Sequence, residues 1–167
     1  MDSRGTNLVA TLGTTLGDAV ALAVTEATGL SGAAPAALTA LLAEPGLSID
    51  ALARTVGVTG SGAVRLVDRL ADAGLVERRA GRDGRSIAVR LTVAGQQGAH
   101  AVLAARQGAV RHLVRTLDRD EQAALVGLAD KLMAAAAQRE PGEWLCRLCD
   151  HTACHPRRCP VRRVRPR

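Results

Sequence analysis

Apolar residues recur along most of this 167-residue chain three or four positions apart, so the sequence predicts a mainly helical fold. Four stretches follow this pattern: residues 6–28, 33–43, 92–116 and 119–139. Thr92 stands as the N-cap of the third stretch, and Asp118 with Glu121 forms a reciprocal capping pair before the fourth. Pro141 and Gly142 are expected to end the last helix.

The middle of the chain has a different pattern, in which two short helices precede two strands. Ser48 caps the first of these helices, and Gly57 supplies the backbone freedom that a tight turn requires. Thr59 caps the second helix, which runs to about Ala73. The apolar positions of this second helix form one stripe: Ala63, Leu66, Val67 and Leu70. Two helices joined by a glycine turn predict a helix-turn-helix.

The two strands are Leu75–Arg79 and Ser86–Leu91, in which apolar and polar positions alternate. The alternation predicts three inward and two outward side chains in the second strand: Ile87, Val89 and Leu91 against Ala88 and Arg90. Asp83 and Gly84 lie between the strands and are a strong signal for a hairpin turn. Together with the two helices, this hairpin predicts a winged helix-turn-helix.

Polar and basic residues of the second helix and the hairpin are candidates for contact with double-stranded DNA. Such a helix fits the major groove, and a basic hairpin reaches phosphates or an adjacent minor groove. The candidate DNA-binding residues are Thr59, Ser61, Gly62, Arg65, Arg69, Arg82 and Arg85. The alternative for the two helix arginines is a solvated face with Asp68 or Asp72 as ion-pair partner.

In this region the chain resembles the MarR family of transcriptional regulators. The motifs that carry the resemblance are Leu66-Val67-Asp68-Arg69-Leu70, Gly74-Leu75-Val76-Glu77-Arg78, Asp83-Gly84-Arg85, and Leu91-Thr92 followed by Gly95. The resemblance implies a homodimer that binds a palindromic operator, in most cases as a repressor. It also implies that the first helix and the last two helices form the dimer interface.

The chain departs from the family at two points. Gly62 stands where the family usually has Thr, which removes a side chain that would read a base. Family members commonly bind aromatic acids between the dimerisation and DNA-binding regions. Trp144 is the only aromatic side chain here, so no aromatic residue is available there to stack on such a ligand. The usual small-molecule pocket is therefore in doubt.

The net charge of +6 is concentrated at the C-terminus, where residues 157–167 contain six arginines and no acid. Such a tail binds polyanions without sequence preference. The N-terminus lacks the features of a secretory signal, and Asp18, threonines and glycines interrupt the apolar residues 8–24. We therefore expect a cytoplasmic protein without a membrane span, whose cysteines are reduced or bound to metal.

All four cysteines lie within one short stretch: Cys146, Cys149, Cys154 and Cys159. This clustering predicts a metal site. The spacing C-x2-C-x4-C-x4-C is that of a zinc knuckle with Cys154 in the histidine position, which favours zinc. A single cysteine loop that ends in Cys159-Pro160 also resembles iron–sulfur cluster loops, so a cluster is the alternative cofactor. His151 and His155 are alternative ligands.

The sequence thus predicts a winged-helix domain with dimerisation helices over residues 1–140, a cysteine-rich segment over 141–160 and a basic tail over 161–167, with the DNA-binding core at 48–91. No catalytic constellation stands out, so no enzyme is expected. The first functional hypothesis is a homodimeric DNA-binding regulator whose metal site stabilises it or senses redox state. The second is a protein-interaction module whose metal knuckle and arginine tail bind RNA or another polyanion.

Overall fold

The computed structural model of the protein describes residues 1–81, 87–139, 143–154 and 158–161. The helices are α1 Ser3–Thr28, α2 Ala34–Ala43, α3 Ile49–Val56, α4 Gly60–Asp72, α5 Val93–Val114 and α6 Arg119–Arg139. The strands are β1 Leu47–Ser48, β2 Val76–Ala80 and β3 Ile87–Leu91, and a short 3-10 helix spans Glu143–Cys146. The predicted mainly helical fold with a small β wing is confirmed, as are the four long helices and the helix-turn-helix.

Side-chain caps begin the helices where the sequence predicted them. Ser48, Thr59 and Thr92 each accept a hydrogen bond from a backbone N–H in the first turn of α3, α4 and α5. Before α6, the Glu121 N–H donates to the Asp118 carboxylate while the Asp118 N–H donates to the Glu121 carboxylate, both at 2.9 Å. These local bonds fix where each helix enters the fold.

The winged helix holds the main apolar core, in which α2, α3 and α4 pack with the sheet and with Ala99 of α5. Its fully buried large side chains include Leu38, Leu41, Leu52, Val67 and Val89. The stripe predicted for α4 is buried at all four positions: Ala63, Leu66, Val67 and Leu70. Because this face of α4 is occupied by the core, the opposite face is left in solvent.

The sheet has three antiparallel strands in the order β1-β3-β2, so β3 is the central strand and β1 is a strand that the sequence analysis missed. The predicted alternation of β3 is wrong at two positions. Ile87 is 49% exposed and Ala88 is buried. Ala88 pairs with Ser48 of β1 and Arg79 of β2, and these neighbours cover a side chain as small as alanine. Ile87 lies beyond the end of β1, where only β2 flanks it.

Two long helices leave large apolar side chains in solvent. In α1 only Val24 is buried, and Leu8, Leu12 and Leu22 are about half or more exposed. In α6 only Ala137 is buried. Its exposed apolar side chains are Leu125, Val126, Leu128, Leu132 and Met133. By length and composition α1 would also suffice to cross a membrane.

Candidate nucleic-acid interface

The N-terminal turn of α4 presents the predicted contact residues to solvent. Thr59 and Ser61 are exposed, and their hydroxyl oxygens lie 3.3 Å apart. The Thr59 hydroxyl also accepts the Gly62 N–H at 3.1 Å. A Cβ at Gly62 would lie 3.1 Å from this hydroxyl oxygen, so the turn is tight at the position where glycine replaces the expected threonine. The start of α4 therefore offers hydroxyl groups and backbone rather than long side chains.

Arg65 and Arg69 lie one turn apart on the exposed face of α4. Within the described residues, neither arginine takes part in an ion pair. Both line an open groove of about 600 Å³, together with Asp68, whose carboxylate is paired with Arg78. Because neither guanidinium takes part in an ion pair among the described residues, both are available to an anionic ligand such as a phosphate backbone.

Asp68, which the sequence analysis considered as a partner for the helix arginines, is instead paired with Arg78 of β2. This ion pair connects α4 to the wing and was not predicted. Its signal was present in the sequence, since both residues belong to motifs that flank the turn after α4. The next arginine, Arg79, binds Glu77 with two hydrogen bonds of 2.8 Å, and this contact lowers the pKa of the Glu77 carboxyl. Both arginines of β2 are therefore engaged in ion pairs.

The base of the wing is tied to the ends of α4 and α5. The Thr92 hydroxyl donates to the Gly74 carbonyl at 2.7 Å and accepts the Gly95 N–H at 3.0 Å. A Cβ at Gly95 would lie 1.9 Å from the Leu75 carbonyl oxygen, so this position requires glycine. The Leu-Thr-x-x-Gly motif is thus explained by the close approach of α5 to the first residues of the wing. Arg82 and Arg85 at the wing tip lie outside the described residues.

The cysteine segment folds back onto the domain in two turns. The Cys149 N–H donates to the Cys146 carbonyl at 2.9 Å, and the Cys154 N–H donates to the Asp150 carbonyl at 3.2 Å. Asp150 stabilises the second turn, since its carboxylate accepts the backbone N–H groups of Thr152 and Ala153. Cys159 is buried, and the other three cysteines are half-buried.

Three of the cysteines pack in one small buried cluster with Ala137 and Val161: Cys146, Cys154 and Cys159. Burial, followed by the nearby Cys146 and Cys154, raises the pKa of the Cys149 thiol to about 11. Burial, followed by the nearby Cys159, also raises the pKa of the Cys154 thiol. Among the described residues, however, no three Cys, His, Asp or Glu side chains stand in the arrangement of a metal site.

Of the two histidines proposed as alternative ligands, only one belongs to the described residues. His151 is exposed, and His155 lies outside the described ranges. Cys146, Cys154 and Cys159 therefore share one small cluster, but the described residues do not stand at metal-ligand geometry.

The winged-helix region of the chain matches the model of a known protein family. Residues 28–86 match the model of the MarR family. No functionally curated protein matches the chain in sequence. The match spans α2 to β2 and ends before β3 and the cysteine segment.

Solved structures of bacterial regulators share the fold over most of their own length. A MarR family protein of Mycobacterium tuberculosis in complex with DNA is 27% identical, with a TM-score of 0.65, over 78% of this chain and 98% of that one. A probable transcriptional regulator from Pseudomonas aeruginosa is 29% identical, with a TM-score of 0.57, over 74% and 96%. MepR, a regulator of the Staphylococcus aureus multidrug efflux pump MepA, is 17% identical, with a TM-score of 0.69, over 78% and 97%.

These matches agree with the geometry of the site. The family match covers the helix-turn-helix and β2 in sequence but ends before β3, and the solved structures cover roughly three quarters of the chain in fold. The chain thus matches the MarR family model over residues 28–86 and shares its winged-helix fold with solved MarR family proteins.

Proposed function

We propose that the protein is a transcriptional regulator that binds double-stranded DNA as a homodimer on a palindromic operator and acts there as a repressor. The observation that carries this proposal is the exposed face of α4, where Arg65 and Arg69 stand free of ion pairs within the described residues. Helices of this width enter the major groove, where arginines contact guanine edges or phosphates. The similar protein solved with DNA supports the same use of the fold.

The DNA contacts divide into two groups in this proposal. Thr59, Ser61, Gly62 and Arg65 at the start of α4 face the base edges. Arg69, further along the helix, contacts phosphate, and Arg82 and Arg85 reach the backbone or the minor groove from the wing tip. Because Gly62 lacks a side chain, sequence readout at its position is weak. Arg65 is then the principal reader of sequence.

The outer helices supply the dimer interface. The exposed leucines and valines of α1 and α6 are too numerous for helices that remain in water, since each would gain free energy from burial. A second copy of the chain offers the same apolar faces, so a two-fold axis along these helices buries both. Two copies of α4 then face successive turns of a palindromic operator.

The proposal includes a metal at Cys146, Cys149, Cys154 and Cys159, either zinc or an iron–sulfur cluster, that stabilises the segment or senses redox state. The clustering of all four cysteines within residues 146–159, three of them packed at one small cluster, supports it, because coordination requires the thiolates in one small volume. No enzymatic activity is proposed, and the protein would act in the cytoplasm, where it meets DNA.

The function is tested by footprinting the full-length protein on a duplex that it selects from a random-sequence pool. Arg65→Ala is expected to weaken binding by on the order of tenfold or more and relax sequence preference, because it removes a base contact. Arg85→Ala is expected to weaken binding to all sequences and to lower the salt dependence. Arg119→Ala, an exposed arginine at the start of α6, is the matched control. Unchanged affinity and footprint in both site variants would refute the proposal.

A second candidate is the binding of RNA or another polyanion, favoured by the arginine-rich tail. Replacement of Arg162, Arg163, Arg165 and Arg167 by serine in the full chain discriminates the two. Loss of all nucleic-acid binding, with no duplex preference in the parent protein, would favour this candidate. Retained duplex specificity would favour the regulator.

A further inference from the structure

One large apolar side chain of α4 lies in solvent, on the side of the helix that carries the polar candidates for DNA contact. Helix α4 contains four large apolar residues, and three of them belong to the buried core: Leu66, Val67 and Leu70. Val64 is the fourth, and its side chain is 44% exposed. Packing of the core therefore does not explain why a valine occupies this position.

The neighbours of Val64 on the helix surface are compatible with contact to DNA. Val64 follows Ser61 by three positions and precedes Asp68 by four, so the three side chains lie on one face of α4. The Asp68 carboxylate is paired with Arg78 of β2, and this ion pair reduces its repulsion of a phosphate backbone. Val64 thus lies between a hydroxyl group and a paired carboxylate, one residue before Arg65.

The first turn of α4 leaves room for a close approach to DNA. Gly60 and Gly62 flank Ser61, so this turn carries no long side chain. Apart from its own helix, a Cβ at Gly60 would meet no atom of the described residues within 4 Å, so packing within that part of the chain does not require glycine there. Glycine allows a backbone to approach a ligand closely, and a side chain as short as valine reaches a base edge only from a close backbone.

We propose that Val64 reads thymine, by packing its methyl groups against the C5-methyl group of a thymine base in the major groove. This inference rests on the proposed function and adds a second reader of sequence beside Arg65. The C5-methyl group of thymine is the apolar group that base pairs display in this groove. The valine side chain neither donates nor accepts a hydrogen bond, so this methyl group is the feature that it can recognise. Because valine keeps one preferred χ1 rotamer in a helix, its methyl groups are held in one place before DNA binds.

The test compares thymine with uracil in a duplex that the full-length protein selects from a random-sequence pool. Each thymine of the selected site is replaced in turn by deoxyuridine, which keeps the hydrogen-bonding groups of thymine and lacks only the C5-methyl group. Replacement at one position of a half-site is expected to weaken binding of the wild type about fourfold, the effect of removing one buried methyl group. All dissociation constants are measured at one salt concentration, because phosphate contacts depend on salt.

Valine variants separate the base contact from general effects on the protein. Val64→Ala is expected to bind the thymine and uracil duplexes with equal affinity, because the side chain that contacts the methyl group is removed. Val64→Thr keeps one of the two methyl groups and is expected to retain part of the preference. Val93→Ala is the matched control, since Val93 is a 72% exposed valine at the start of α5, and it is expected to keep the full fourfold preference. Thermal unfolding checks that each variant folds as the wild type does.

The outcomes distinguish this inference from the proposed function. If the wild type prefers the selected duplex to a scrambled one but tolerates uracil at every position, the inference is overturned and the proposed function stands. A thymine preference that persists in Val64→Ala also overturns the inference alone. Arg65→Ala is expected to bind both duplexes more weakly and to keep the fourfold ratio between them, because the two side chains contact different groups. Absence of specific duplex binding by the wild type overturns the proposed function and the thymine contact with it.

Discussion

The winged helix and the outer helices α1 and α6 differ in how much of their apolar surface is buried within one chain. In the winged helix, α2 is buried along most of its length, and Leu38, Leu41, Leu52 and Val67 are almost inaccessible to solvent. In α6, by contrast, Leu128 and Leu132 are 58% and 64% exposed. The first region is a finished folding unit, whereas the second has an apolar face without a partner in the single chain.

This difference separates a region whose packing is complete within one chain from a region whose packing is not. Inside the winged helix, each residue is fixed by packing within the chain, so its motifs can be recognised from sequence alone. On α1 and α6, the second copy of the proposed dimer would cover the exposed leucines. The cysteine segment lies between the two regions, in contact with α3, α5 and α6.

The largest expected effect is on the core of the winged helix. Leu52→Ala is expected to lower the free energy of unfolding by about 2–5 kcal/mol, because it leaves a cavity beside fully buried neighbours. Denaturant unfolding measures the change. The difference in unfolding free energy between wild type and Leu52→Ala should be the same at all protein concentrations, and a difference that disappears at high concentration would contradict the view that one chain completes this core.

The next effect concerns the outer helices. Leu128→Asp is expected to weaken the dimer by about 3 kcal/mol, on the order of 100-fold in its dissociation constant, because it places an unpaired charge in an apolar interface. Analytical ultracentrifugation measures the dissociation constant. Gln97→Asp, an exposed position on α5, is the control. If wild type and Leu128→Asp both sediment as monomers, the apolar face of α6 is not covered by a second copy of the chain.

A smaller effect is expected where the wing joins the long helix. Thr92→Ala removes the cap of α5 and the bond to the Gly74 carbonyl, and is expected to cost about 1–2 kcal/mol of stability. Thermal unfolding measures the cost. Thr92→Ser keeps the hydroxyl and should retain most of the stability, so equal losses in the two variants would mean that the methyl group rather than the cap matters.

Features that depend on residues close together in the chain could be predicted from the sequence. The caps at Ser48, Thr59 and Thr92 and the reciprocal pair before α6 are local hydrogen bonds, and the buried stripe of α4 follows from helical periodicity alone. The exposed positions of Arg65 and Arg69 follow from the same periodicity. These features include most of the described part of the candidate DNA interface.

Features that depend on distant residues were missed. Strand β1 has two residues, too few for any periodic signal, and its pairing with β3 is what covers Ala88. Trp144 lies beside Gly57 although the two residues are far apart in the chain, and no sequence pattern predicts that they lie together. The four cysteines were recognised as a cluster, but their place beside the helix-turn-helix is a property of the folded domain.

The most direct test of the central claim is the ratio of affinities of the full-length protein for a selected palindromic duplex and for a scrambled duplex at the same salt concentration. The account predicts a ratio of about 10³ or more for the wild type, and a much smaller ratio for Arg65→Ala. Equal affinity of the wild type for both duplexes, or an unchanged ratio in Arg65→Ala, would contradict sequence-specific recognition by α4.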